Sequence, residues 1–153
     1  MQSLAEVIKK TTGKISTNYP GAGAAGGMGG GLLAFFNAEL KPGTELLLKA
    51  IDFSEKIKGA DLIITGEGKA DRQTAMGKVP YGILKEAQKE HIPVIVLAGS
   101  IENLPELNKA GFKGIFSIAP GPITLEKAME PEFAKENITR LVSQLYSVIT
   151  SFG

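Results

Sequence analysis

The sequence contains no cysteine and a single histidine, His91, among its 153 residues. The absence of cysteine excludes disulfides, thiolate nucleophiles and cysteine-ligated zinc or iron–sulfur sites. One histidine cannot form a histidine metal cluster, and His91 stands at a predicted helix end before Ile92 and Pro93, where we expect a structural role. Disulfides, cysteine-based sites and histidine metal clusters are therefore excluded.

An excess of charge of one sign is also absent. The 17 basic and 16 acidic residues are scattered and give a net charge of +1, which argues against a basic stripe for nucleic acid. The glycine-rich residues 21–38 are too weakly apolar for a membrane span of ~20 residues, and the mixed charges of the first ten residues do not match a signal peptide. We therefore expect a cytoplasmic protein with neither a nucleic-acid nor a membrane partner.

Glycine is abundant, with 19 residues in all, and seven of them lie between Gly21 and Gly31. Residues 21–26 match the letters of the dinucleotide fingerprint, but Pro20 and a polar stretch stand where that motif needs a strand, and Glu39 falls at a predicted helix end. A Rossmann NAD site is therefore excluded. The glycines either bring backbone N–H groups close to an anion or let a helix pack tightly against the sheet, and the sequence leaves both interpretations open.

Three short apolar runs in the second half of the chain alternate with amphipathic helices. The runs cover residues 61–65, 93–98 and 114–118, and they predict buried parallel strands. Thr124 is predicted to cap a following helix, and Pro131 to kink or restart the last one. The order predicts one α/β domain over residues 1–153, with three layers: a mainly parallel sheet and helices on both faces. Glycine-rich loops are expected at the carboxyl edge of the strands, where parallel sheets bind ligands.

The segment from Thr65 to Pro80 brings carboxylates, cations and hydroxyls into one predicted loop between a strand and a helix. It is not a Walker A loop, because Arg72 replaces the first glycine and Val79 stands where Ser or Thr would hold magnesium. Phosphoryl transfer needs a carboxylate, a cation and backbone amides, which Asp71 or Glu67, Lys78 and the glycines could supply. A solvated surface loop is the alternative.

Five motifs, at residues 20–29, 60–68, 71–74, 77–80 and 93–100, resemble in order and spacing the C-terminal portion of the type I glycerate kinase family. The resemblance implies two α/β domains with the active site between them, in chains more than twice this length. It also implies phosphorylation of a D-glycerate hydroxyl with ATP and Mg²⁺, which gives a phosphoglycerate. This chain would form one wall of that cleft and would be inactive without an N-terminal region. Arg72 and Pro131 depart from the family's pattern.

The resemblance also implies roles for individual residues. Asp71, Glu67 and Lys78 would be catalytic, with Asp71 in metal-linked or general-base work and Lys78 stabilising phosphoryl charge. The residues expected to bind phosphate or substrate are Gly21, Gly23, Gly26, Gly27, Thr65, Gly66, Gly68, Gln73, Thr74, Gly77 and Ser100. Two alternatives stay open: a non-catalytic module that binds phosphate or carboxylate, and an interaction half that needs a second polypeptide or associates with itself.

Overall fold

The computed structural model describes residues 2–13, 19–36 and 38–151. The chain divides into two compact units, Met1–Gly43 and Thr44–Gly153, and each is described by itself. The single-domain interpretation of residues 1–153 stays a prediction. Within the described residues, no helix combines the length and the apolar character that crossing a membrane requires.

The described residues of the first unit form two helices, α1 over Gln2–Thr12 and α2 over Met28–Phe35, with a 3-10 turn over Ala24–Gly27 before α2. The first helix ends at Gly13, whose φ of 69° is left-handed and whose amide donates to the carbonyl of Lys9. The apolar residues 32–36 predict a helix over residues 29–40 that is buried on all sides, and this prediction is wrong. The helix is shorter, and because glycines and Ala34 occupy its buried face, Phe35 projects outward and is 58% exposed.

In the part of the second unit that the structure describes, the chain forms the sheet and six more helices. Its strands are β1 over Ile63–Ala70, β2 over Val94–Ile101 and β3 over Gly114–Ser117. Its helices are α3 over Gly43–Ala50, α4 over Phe53–Lys56, α5 over Val79–Lys89, α6 over Leu104–Ala110, α7 over Leu125–Ala128 and α8 over Pro131–Thr150. A 3-10 turn over Arg72–Met76 joins β1 to α5. The predicted cap at Thr124 and the helix start at Pro131 are both confirmed.

The three strands form a parallel sheet in the order β1-β2-β3, flanked by helices, which confirms the predicted α/β class. The central strand is the most deeply buried of the three, since its first five residues are all buried. One face of the sheet packs against α5 and α6 through Val94, Val96, Leu84 and Leu107. This core fixes the end of β1 relative to the start of α5.

Two strands are longer than the sequence predicts. In β1, Ile63 pairs with Val94 and the register continues to Ala70, so Gly66 and Gly68 lie within the strand instead of in a loop after it. Gly99 likewise lies within β2. A Cβ on Gly99 would come 2.8 Å from the carbonyl oxygen of Gly68, so the close approach of the two strands requires glycine there.

Candidate functional site

The end of β1 and the start of α5 bring Glu67 and Lys78 together. Glu67 follows Ile63 and Thr65 on the partly buried side of β1, and its side chain is 15% exposed. Lys78 is the N-cap residue of α5, which Pro80 then helps to start. The Nζ atom of Lys78 lies 3.0 Å from Oε1 of Glu67. A charged pair therefore stands at the border of the hydrophobic core.

Asp71 caps the 3-10 turn that follows β1. Its Oδ1 atom accepts hydrogen bonds from the backbone amides of Gln73 at 2.9 Å and Thr74 at 3.3 Å. The same oxygen lies 3.4 Å from Nζ of Lys78. The carboxylate of Asp71 therefore caps the turn and also forms an ion pair with Lys78. An asparagine could cap the turn but could not form the ion pair.

Thr74 connects the two carboxylates. Its hydroxyl donates to Oε2 of Glu67 at 2.6 Å and accepts from the backbone amide of Asp71 at 3.0 Å. The side chain of Thr74 is fully buried. Glu67, Asp71, Thr74 and Lys78, all predicted site residues, therefore form one hydrogen-bonded group, which we call the carboxylate–lysine cluster.

Contacts within the cluster favour the charged forms of Lys78 and Asp71. The hydrogen bond to Glu67 raises the pKa of Lys78 above its usual 10.5, against a lowering by burial. Burial raises the pKa of Asp71, but the amide of Gln73 and the charge of Lys78 outweigh it, so the net pKa is below 3.8. Asp71 is thus ionised at neutral pH and is a weak proton acceptor, which favours contact with a cation over general-base work.

The other predicted ligand-binding residues of the second unit lie on β1, in the turn after it, or near the end of β2: Thr65, Gly66, Gly68, Gln73, Gly77 and Ser100. Gly66, Gly68, Gln73 and Ser100 are exposed, whereas Thr65 is buried. Gly77 ends the turn with a φ of 137°, a conformation that L side chains rarely adopt. Their contact with a ligand stays a prediction.

The predicted anion-binding glycines belong to the first unit. Gly21, Gly23 and Gly26 are exposed, and Gly27 is buried as the N-cap of α2. At Gly29 the helix packs closely against its own preceding loop, since a Cβ there would come 2.7 Å from the carbonyl oxygen of Gly21. Packing of this helix against the sheet stays a prediction. The anion-binding role of the other glycines stays a prediction.

A metal ion would find few ligands from this chain alone. Within the described ranges, no group of three or more His, Cys, Asp or Glu side chains is arranged to hold a metal. Glu67 and Asp71 are two carboxylates that both contact Lys78. Mg²⁺ in phosphoryl-transfer sites is usually held by one or two carboxylates together with substrate phosphates. The donors present fit a cation that arrives with a phosphate.

Sequence reasoning missed two contacts in this region. The reciprocal bonds of Asp71 and Thr74 form a capping box, and the spacing Asp-x-x-Thr is the signal that could have found it. Lys69 at the end of β1 pairs with Glu102 after β2 at 2.8 Å, and no local spacing predicts a pair so distant in the sequence.

A small cavity and an open groove lie outside the cluster. A small apolar cavity of about 20 Å³ near the end of β2 is lined by Gly99, Ile118, Ala119, Ile123, Ala128, Phe133, Ala134 and Asn137. An open groove of about 370 Å³ runs along α3, α4 and α5 and includes Asp52, Ser54 and Glu86. Neither contains a residue of the carboxylate–lysine cluster.

Comparison with known proteins places this geometry in a family context. Residues 1–150 match the Glycerate kinase family. A glycerate kinase of Halalkalibacterium halodurans is 45% identical over 127 residues, which cover 82% of this chain and 33% of that protein. A glycerate kinase of Bacillus cereus is 40% identical over 149 residues, or 97% of this chain and 39% of that protein. A glycerate 2-kinase of Escherichia coli is 43% identical over 137 residues, or 89% and 35%.

A solved structure agrees with these matches. The crystal structure assigned as glycerate kinase 2 from Salmonella typhimurium LT2 superposes with a TM-score of 0.70 at 33% sequence identity. The match covers 98% of this chain and 37% of that one. The chain therefore spans about a third of the length of the curated relatives it matches, 33–39% in the three named above.

Proposed function

This chain belongs to the glycerate kinase family, and from that premise we propose that it supplies one wall of a phosphoryl-transfer site. The reaction is the ATP-dependent phosphorylation of a hydroxyl of D-glycerate. The observation that carries the proposal is Lys78, held by Glu67 and Asp71 at the end of β1. A cation beside two carboxylates is the combination that this chemistry needs.

Lys78 contacts the transferring phosphoryl group in this proposal. An ammonium has three N–H donors, and Glu67 and Asp71 together accept two of them. The third is left for a phosphate oxygen. Because a lysine acts as a point charge, it stabilises the ground-state phosphate as well as the transition state.

Asp71 supplies the charge for a bound cation. Its Oδ1 atom serves the cap and Lys78, and among the described residues no donor contacts Oδ2. Bound Mg²⁺ would neutralise charge that develops on the phosphate oxygens. The lowered pKa of Asp71 accords with this role, because it shows surroundings that favour the charged form of the carboxylate. Glu67, both of whose oxygens already have donors, keeps Lys78 in place.

The glycines of the two units have separate roles in this proposal. Gly66 and Gly68 expose the end of β1 without side chains, and Ser100 lies nearby in register with Lys69. Gly21, Gly23, Gly26 and Gly27 would hold an anion, either a phosphate or the carboxylate of glycerate. We propose that turnover also needs the part of the family's fold that this chain does not match, and that the protein works in the cytoplasm.

Three substitutions test the assignment. Asp71→Asn keeps the cap, since asparagine caps as well as aspartate, but removes the charge. Asp71→Ala removes both, and Lys78→Ala removes the proposed phosphate contact. MgATP binding is measured by calorimetry on the chain alone. ADP production is measured with D-glycerate after co-expression with the part of the Bacillus cereus relative that this chain does not match.

We expect Asp71→Asn, which keeps the cap and loses only the charge, to melt slightly below wild type and to lose about 10²-fold in turnover. Asp71→Ala should lose turnover as well and melt lower still. Lys78→Ala should weaken MgATP binding about tenfold or more, whereas Lys89→Ala, an equal loss of charge on the same helix, should leave it unchanged. Near-normal turnover of Asp71→Asn with unchanged magnesium dependence would assign the chemistry to Glu67. Glycerate-dependent ADP production by this chain alone would contradict the one-wall proposal.

A further inference from the structure

We propose that Thr74 is a positioning residue of the site, whose hydroxyl fixes Glu67 so that Lys78 stays next to both carboxylates. This inference rests on the proposed function only for the role of Lys78, which is the contact with the phosphoryl group. The resemblance grouped Thr74 with the ligand-binding residues, whereas the geometry points to an action through Glu67.

The burial of Thr74 rules out direct contact with a ligand in this conformation. Its exposed fraction is 0%, and a hydroxyl has one proton to donate. That proton goes to Oε2 of Glu67 at 2.6 Å, while the oxygen accepts from the amide of Asp71 at 3.0 Å. Both functions of the hydroxyl are therefore used within the cluster.

The two oxygens of Glu67 have separate partners. Oε2 accepts from Thr74, and Oε1 lies 3.0 Å from Nζ of Lys78. A free glutamate side chain samples many rotamers, so a short bond to one oxygen from a buried donor restricts where the other oxygen can lie. The bond from Thr74 thus determines where Lys78 finds its acceptor.

The donor itself is held in place by the turn. Thr74 and Asp71 bond reciprocally in the capping box, so the hydroxyl cannot rotate away without losing the bond from the Asp71 amide. The same oxygen therefore ties the turn to β1. The hydroxyl of Thr74 both donates to Glu67 and accepts from the amide of Asp71. Valine has neither a donor nor an acceptor and can make neither bond.

The experiment measures how fast the side-chain amine of Lys78 reacts in the chain without ligand. Limiting acetic anhydride labels amines in competition, and peptide mass spectrometry gives the relative rate at each lysine. The variants are Thr74→Ser, which keeps the hydroxyl, Thr74→Val, which keeps the shape, Glu67→Gln, and the double variant. Lys69, paired with Glu102 near the end of the same strand, is the internal control.

We expect Thr74→Val to raise labelling of Lys78 about threefold or more relative to Lys69, and Thr74→Ser to stay within about twofold of wild type. Glu67→Gln should raise it equally, and the double variant should be no faster than Glu67→Gln, because the threonine acts through the glutamate. If Thr74→Val does not fold, Thr74→Cys replaces it, because the S–H group of cysteine is only a weak donor. It is expected to raise the labelling of Lys78 in the same direction as Thr74→Val.

Wild-type labelling of Lys78 in the folded valine or cysteine variant would overturn the proposal. So would effects that multiply in the double variant, or an equal rise at Lys69, since that would indicate general opening of the strand end. The proposed function fails separately: a wild-type chain that binds no MgATP but shows the expected labelling pattern retains Thr74 as the residue that positions Lys78.

Discussion

Gly99 on β2 gives the sharpest test of how the two site-bearing strands fit together. A methyl group at this position would lie 2.8 Å from the carbonyl oxygen of Gly68, a backbone atom that cannot move without shifting β1. At Gly68 itself, a Cβ would find no atom within 4 Å. Gly99→Ala and Gly68→Ala are therefore chemically identical changes on neighbouring strands, and only the first forces them apart.

The expected magnitude follows from two opposing effects. Replacing glycine by alanine where the backbone permits it stabilises a protein by about 0.4–1 kcal/mol, mostly through the unfolded state. Overpacking against a fixed neighbour costs about 1–3 kcal/mol. Both effects act at Gly99 and only the first at Gly68, so the difference in the free energy of unfolding between the two variants is about 1–3 kcal/mol.

Thermal unfolding followed by circular dichroism measures this difference. For a chain of this size, about 2–4 °C of melting temperature corresponds to each kcal/mol, so Gly99→Ala should melt about 2–12 °C below Gly68→Ala. Urea unfolding of the same variants gives an independent value. If Gly99→Ala melts at the same temperature as Gly68→Ala or higher, the close contact between Gly99 and the carbonyl oxygen of Gly68 is refuted.

Two further predictions concern charge and association. The pKa of Asp71 is lowered from 3.8 in the folded chain, so its ionised form stabilises the fold above that pH, and this contribution is lost as the pH falls through the lowered value. The difference in urea midpoint between wild type and Asp71→Asn should therefore shrink below pH 3.8, and a constant difference down to pH 2 would contradict this. Tyr146, Val148 and Ile149 of α8 are exposed, so we expect association at high concentration; a monomer at every concentration in sedimentation would count against it.

The parallel strands were predictable because β-branched and leucine residues gather in short runs such as residues 93–98. Their ends were not. Gly66, Gly68 and Gly99 have low strand propensity, and it is pairing with the neighbouring strand that keeps them extended. The same limit applies to α2, where the letters are apolar on all sides but only the small residues face inward.

The composition of the site was predictable, and its internal bonding was not. Glu67, Asp71, Thr74 and Lys78 lie within one short segment, so their closeness follows from the strand-to-helix order. The identity of each donor and acceptor depends on the turn geometry, in which Asp71 is extended and Gly77 has a positive φ. A list of residue types cannot specify that geometry.

Glu67 lies opposite Ala98 in the pairing of β1 with β2, and Ala98 belongs to the buried core. The carboxylate that holds Lys78 therefore shares its packing environment with the residues that keep the domain folded. Variants selected for stability by filling the core around Ala98 would press on Glu67, and variants selected for altered activity at Glu67 would disturb the core. Laboratory evolution of this chain should thus meet a trade-off between stability and activity at the end of β1, and additional stability is easier to gain on parts of the sheet remote from that end.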